Sequence, residues 1–138
     1  MKETFYIDSN VFLYPVLYGD LKESERAREI LSQIERKDIQ AYTSTLTWDE
    51  VSYVIERTLG KTDAIEIGKK FLNFPFLRFI AVDDEVIRRS QALREKYNLK
   101  PRDSIHLSCA IERNIFKIIT DDADFDEIKE IQRIPIRR

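Results

Sequence analysis

The chain has 138 residues, 43% hydrophobic and 11% aromatic, with 23 Lys and Arg against 25 Asp and Glu. That length and composition fit one globular domain over 1–138, large enough to bury a core without a metal or disulfide framework. One cysteine excludes an internal disulfide and a cysteine-rich zinc site, no apolar run approaches the ~20 residues of a membrane span, and a net charge of −2 excludes a global basic field for sequence-blind nucleic-acid binding.

The N-terminus, Met1-Lys2-Glu3-Thr4, does not read as a signal peptide, and a cytoplasmic location is expected. The first strand is expected over 4–8, an apolar run closed by Asp8. The run 11–18 that follows is more apolar than one helix face requires, and the surplus suggests a dimer or partner interface. Asp20 with Glu23 three residues on resembles a capping box, opening a helix with Ala27, Ile30, Leu31 and Ile34 on one face. A second strand is expected over 40–43. A helix then runs from about 46 to Gly60, a plausible C′ stop, with Glu50 sharing a face with Leu46, Tyr53 and Val54.

The next helix is expected over 62–73, with Ala64, Ile65, Gly68, Phe71 and Leu72 on one face. Pro75 lies in the break before a strand over 78–82. Asp83 begins a helix with Val86, Ile87 and Leu93 inside. Pro101 sits in the first turn of another, ending near Asn114, on which Asp103 aligns with Leu107, Ala110 and Ile111. A strand over 116–120 is closed by Asp121 and Asp122, a helical turn covers 124–130, and Pro135 assigns the final strand, 133–136, to a sheet edge.

Strands alternating with helices predict an α/β domain with a mainly parallel five-stranded sheet. Strands one and four lack clean apolar–polar alternation, as expected where helices cover both sheet faces. Parallel strands end on the same side, so Asp8 and Asp121/Asp122 share the carboxyl edge, where open α/β sheets bind ligands. Glu50 and Asp103 lie on helix faces directed to the same place. Carboxylates gathered there are costly unless paired or bound to a cation, and oxygen-only donors suit a hard divalent metal. Each acid also admits an ordinary role: a capping box from Thr47 to Glu50, helix caps at Asp103 and Asp122, an Asx turn at Asp8.

His106, the single histidine, reads first as a hydrogen-bonded packing residue one turn after Asp103. Its solitude excludes two-histidine acid–base mechanisms, so hydrolysis here would rely on metal-activated water. Arg88, Arg89, Arg94, Lys96, Lys100 and Arg102 cluster in sequence, and Arg133, Arg137 and Arg138 close the chain; they admit either a local basic groove or solvated faces. Tyr14, Tyr18 and Trp48 admit base stacking, though core or partner-facing roles are the more ordinary ones.

The ordered set Tyr6-Ile7-Asp8-Ser9-Asn10-Val11, the Glu50 helix, the Asp103 helix and Thr120-Asp121-Asp122-Ala123-Asp124-Phe125 resembles the PIN domain over nearly the whole chain. In size the chain is similar to the toxin ribonucleases of VapBC toxin–antitoxin pairs. The resemblance implies a three-layer sandwich with strand order 3-2-1-4-5 and a Mg²⁺- or Mn²⁺-dependent endoribonuclease acting on RNA. It also implies a cognate antitoxin and a homodimer. Asp8, Glu50, Asp103 and Asp122 match the family's acidic quartet, Asp124 a further metal ligand, and Asn10, Thr120 and Asp121 outer polar positions. The acid at Asp121 departs from the family's usual residue, so the ligand assignment between Asp121 and Asp122 is ambiguous; spacing to Asp124-Phe125 favours Asp122. The rival readings are an RNA-processing nuclease of the same fold, a non-catalytic scaffold, and an Asp-based phosphatase or phosphotransfer domain. A haloacid-dehalogenase-like phosphatase would want an acid where Asn10 stands.

Overall fold

A computed structural model describes residues 2–137; Met1 and Arg138 lie outside the described residues. The strands are β1 (Thr4–Ile7), β2 (Gln40–Ser44), β3 (Leu77–Ile80), β4 (Lys117–Ile119) and β5 (Gln132–Ile134). The helices are α1 (Ser9–Leu17), α2 (Lys22–Glu35), α3 (Thr45–Leu59), α4 (Lys61–Leu72), α5 (Asp84–Lys96) and α6 (Pro101–Glu112), followed by a 3₁₀ turn, Ala123–Glu127. The strands form one sheet in the order 3-2-1-4-5, with every pairing parallel. β5 is an edge strand with Pro135 just beyond it, where the missing N–H costs no ladder bond.

Two apolar clusters sandwich this sheet. Adjacent residues divide between them: Ile7 and Ile119 pack with α1–α4, whereas Tyr6 and Ile118 pack with α5 and α6. Successive strand side chains point to opposite faces, and both faces are covered, so neither strand alternates in sequence. No helix among the described residues is long and apolar enough to cross a membrane.

α1 is a helix the sequence did not disclose. Pro15 lies inside it, and Val11, Phe12, Leu13 and Tyr14 are all buried, so no polar face marks its period. The apolar surplus of 11–18 is therefore largely core rather than a free interface. Phe12 packs edge-on against Phe71 at 4.8 Å and Phe74 at 6.3 Å. The expected capping box is also absent: α2 has Leu21 at its N-cap with no side-chain bond, one residue past Asp20. On α3 the buried stripe is Thr47, Val51 and Ile55, and Tyr53 faces solvent. Gly60, at φ 96°, ends α3 as expected and turns the chain into α4.

Phe12→Ala should lower stability by about 3–5 kcal/mol, because it removes a buried ring shared by α1 and α4. Urea denaturation checks this; a loss below about 1 kcal/mol would show that α1 does not carry the packing of this half of the core.

Candidate metal centre

The carboxyl ends of β1 and β4 meet side by side, with Ile7 opposite Ile119 and the Asp8 N–H donating to the Ile119 carbonyl at 3.1 Å. Asp8 is thus the first residue past β1, and it also caps α1 by accepting from the Ser9 N–H at 2.7 Å. Thr120, the first residue past β4, donates its hydroxyl to Asp8 Oδ2 at 2.6 Å and accepts from the Asp122 N–H at 3.0 Å. One buried threonine therefore positions two of the acids. From the other side, Thr43 at the end of β2 donates to the Ile7 carbonyl at 2.8 Å.

The acids form two adjoining groups. Ligand atoms of Asp8, Glu50 and His106 lie within 4.8 Å of one another, and so do those of Asp103, Asp122 and Asp124. The groups share an electrostatic field, since the charges of Asp8 and His106 both act on Asp103. Glu50, Asp103 and Asp122 line one open cleft of about 640 Å³ with Lys100, Pro101 and Arg102 on its wall. Glu50 and Asp103 do not fill their expected capping roles. Ser44 precedes α3, Thr47 is buried on Thr43 at 2.7 Å, and Lys100 precedes α6. Asp122 does cap the 3₁₀ turn, accepting from the Asp124 N–H at 2.9 Å. Capping and membership of the cluster coexist at Asp8 and Asp122, because a carboxylate offers about four lone-pair sites and a cap uses only one of them; at Asp8 the Thr120 hydroxyl takes a second.

Asp121 points elsewhere. Its Oδ1 accepts from the N–H groups of Ile136 and Arg137 at 2.7 and 2.9 Å, and its Oδ2 accepts from the Tyr14 hydroxyl at 2.8 Å. It fastens the C-terminal segment to α1, while Asp122 turns into the cleft. Asn10 lies half-buried in the first turn of α1. Tyr18 and Trp48 are both half-exposed, Tyr18 tilted against Tyr14 and Trp48 in the groove between α3 and α4.

His106 is a buried, hydrogen-bonded residue and also part of the acidic site. Its Nε2 lies 2.6 Å from Glu50 Oε1 and 3.8 Å from Asp8 Oδ1, and its Nδ1 lies 2.6 Å from the Tyr6 hydroxyl. With Tyr6 donating to Nδ1, the Nε2–H donates to Glu50. Burial alone disfavours a charged ring, but the Glu50 hydrogen bond and the charges of Asp8, Glu50 and Asp103 outweigh it and raise the histidine above its ordinary value. The i, i+3 spacing from Asp103 was the available signal; Tyr6, inside an apolar strand, gave none.

The donor set fits a hard divalent cation. Asp103 Oδ2 is buried with no hydrogen-bond partner, a costly condition for a carboxylate oxygen. Asp103, Asp122 and Asp124 bring oxygen donors to within 4.8 Å of one another, the chemistry Mg²⁺ and Mn²⁺ prefer. The same crowding favours a proton on Asp103: burial first, then its hydrogen bond with Asp122 and the charges of Asp122 and Asp8, push it up to about 7.

A PIN domain family model matches residues 5–131. Ribonuclease VapC2 of Methanocaldococcus jannaschii is 23% identical over 143 residues, covering 95% of this chain and 93% of that protein. Among solved structures, DNA-bound VapBC from Salmonella typhimurium aligns with a TM-score of 0.75 at 18% identity, over 99% of each chain. VapBC2 from Rickettsia felis, bound to a promoter DNA fragment, aligns at 0.74 and 17%, over 96% of this chain and 98% of that one. At these identities the structural likenesses establish the fold.

The Asp103 shift has a definite consequence for stability. Between 3.8 and about 7 the folded chain holds a proton on Asp103 that the unfolded chain has released, so stability falls as pH rises through that window. With a chelator present, Asp103→Asn should be stabilised relative to the parent at pH 8, and the gain should vanish towards pH 4. Urea titrations across that range decide it; a pH-independent difference would show that Asp103 titrates normally.

Proposed function

This chain belongs to the PIN domain family, and from that premise we propose that it is a divalent-metal-dependent endoribonuclease, the toxin of a type II toxin–antitoxin pair. The observation carrying the proposal is the buried, unpartnered Asp103 Oδ2 in a cluster with Asp122 and Asp124 at the carboxyl edge of the sheet. The similarity to a protein named a ribonuclease supports the substrate class, and the fold shared with VapBC complexes supports an antitoxin partner. RNA as substrate fits a cytoplasmic setting. An RNA-processing role would use the same centre, whereas the complete acid set counts against a non-catalytic scaffold.

Asp103, Asp122 and Asp124 would hold a Mg²⁺ or Mn²⁺ ion, with Asp8 and Glu50 reaching it directly or through water. Such an ion supplies Lewis acidity, making a nearby water more acidic and stabilising charge on the departing 3′ oxygen of a phosphodiester. Thr120 fixes Asp8 through Oδ2, and His106 fixes Glu50 through Oε1. Glu50 Oε2 is then left to accept a proton from the attacking water. Attack by water opens the bond to a 5′ phosphate and a 3′ hydroxyl, with no cyclic phosphate.

A protein partner would find exposed apolar surface on α3 and α4, where Trp48, Ile65 and Leu72 border a groove of about 280 Å³. An antitoxin is the proposed occupant, and a homodimer would draw on the same kind of surface.

End-labelled single-stranded RNA should be cleaved with Mg²⁺ or Mn²⁺ to 5′-phosphate products. Chelator should abolish cleavage, and Asp8→Asn and Asp103→Asn should each reduce it by about 10²-fold or more, as loss of preorganised charge at a reacting centre does. Cyclic phosphate ends, or cleavage indifferent to chelator, would contradict the proposal. Because burial and the neighbouring acids push Asp103 up to about 7, Mn²⁺ binding near neutral pH should release protons. Calorimetry in buffers of different ionisation enthalpy measures that number, and zero release would show that Asp103 carries no proton for the metal to displace.

A further inference from the structure

The basic residues clustered over 88–102 and near the C-terminus separate by what they already hold. Arg88 is paired with Asp84 at 2.7 Å, Arg89 donates to the Ser108 carbonyl at 3.1 Å, and Arg94 donates to the Leu99 carbonyl at 3.0 Å. Arg133 grips Asp126 with two bonds of 2.6 and 3.0 Å. Lys100 and Arg102 differ. Among the described residues Lys100 has no ion-pair partner, and the one pair of Arg102, with Asp49, is stretched to 3.9 Å between exposed side chains. Both line the 640 Å³ cleft that also contains Glu50, Asp103 and Asp122. Pro101 between them occupies the first position of α6 and stiffens that rim.

A cleft with three carboxylates repels a polyanion, and the chain as a whole is acidic. A metal ion neutralises charge only at its own position, so neighbouring phosphates of a bound strand need other cations. We infer that Lys100 and Arg102 form a phosphate-binding wall of the acidic cleft, holding the backbone of a single RNA strand beside Asp103 and Asp122. The inference rests on the ribonuclease reading and adds the substrate-positioning residues to it. These two side chains bind phosphates rather than bases, so they set affinity and register without sequence preference.

The test measures binding of a short, fluorescein-labelled, mixed-sequence single-stranded RNA by anisotropy across a salt series. An Asp103→Asn background with Mg²⁺ slows cleavage during the measurement. Each of Lys100→Ala and Arg102→Ala should flatten the slope of log affinity against log salt by about 0.7, the change expected when one phosphate of a single strand is no longer neutralised. Lys37→Gln, at the opposite, amino edge of the sheet, should leave the slope unchanged. Mn²⁺ affinity, measured with Asp103 restored, should not weaken in Lys100→Ala or Arg102→Ala. Unchanged slopes, Mn²⁺ binding weakened in parallel, or no RNA binding by the parent would each overturn the inference. Altered slopes in a chain that cleaves no RNA would instead overturn the ribonuclease reading and leave a phosphate-binding wall.

Discussion

The hydrogen bond from Thr120 to Asp8 joins the first residue past β1 to the first residue past β4. Those strands are neighbours only because the chain crosses over the sheet between them, and their ends define its central crevice. Everything acidic in the cleft is referred to this junction. Asp8 is held against it directly, Asp122 hangs from it through the same hydroxyl, and α6 brings a ligand atom of Asp103 within 4.8 Å of Asp122. A buried threonine is well suited to the task, since one donor and two lone pairs can hold a carboxylate and a backbone N–H at once.

Crowded carboxylates set the opposing constraint. Every further acid raises the cost of keeping its neighbours charged, and the structure spreads that cost over unlike supports. Asp8 receives hydrogen bonds at both oxygens, from the Ser9 N–H and the Thr120 hydroxyl. Glu50 receives the imidazole of His106, itself backed by Tyr6 inside the core. Asp103 receives none at Oδ2. The least supported oxygen is the one for which a cation offers most, and burial together with the neighbouring Asp122 and Asp8 moves Asp103 towards neutral pH.

The tandem Asp121-Asp122 shows how alternating direction at a strand end divides labour between like residues. Asp121 faces α1 and the C-terminal segment, taking the Tyr14 hydroxyl and two backbone N–H groups. Asp122 faces the cleft and caps the turn that presents Asp124. A one-residue change of phase would exchange these tasks, breaking the C-terminal fastening and the acidic cluster together.

Much of this was legible in the sequence. Strand–helix alternation specified a parallel sheet, and unalternating apolar runs at 4–8 and 116–120 specified strands covered on both faces, because both patterns follow from local periodicity; the strand order came only from the resemblance to the PIN domain. Acids closing those runs marked the carboxyl edge. α1 was not legible, since a helix buried on most sides, with Pro15 within it, carries no amphipathic period. Nor was the capping of α2, which a one-residue shift of its start removed. Tertiary structure alone decided which oxygen of each acid is free, which of Asp121 and Asp122 enters the cleft, and that His106 and Tyr6 stand behind Glu50. Those outcomes depend on side chains up to 112 residues apart in the chain, and no local pattern records a distance between side chains that meet only when the sheet has formed.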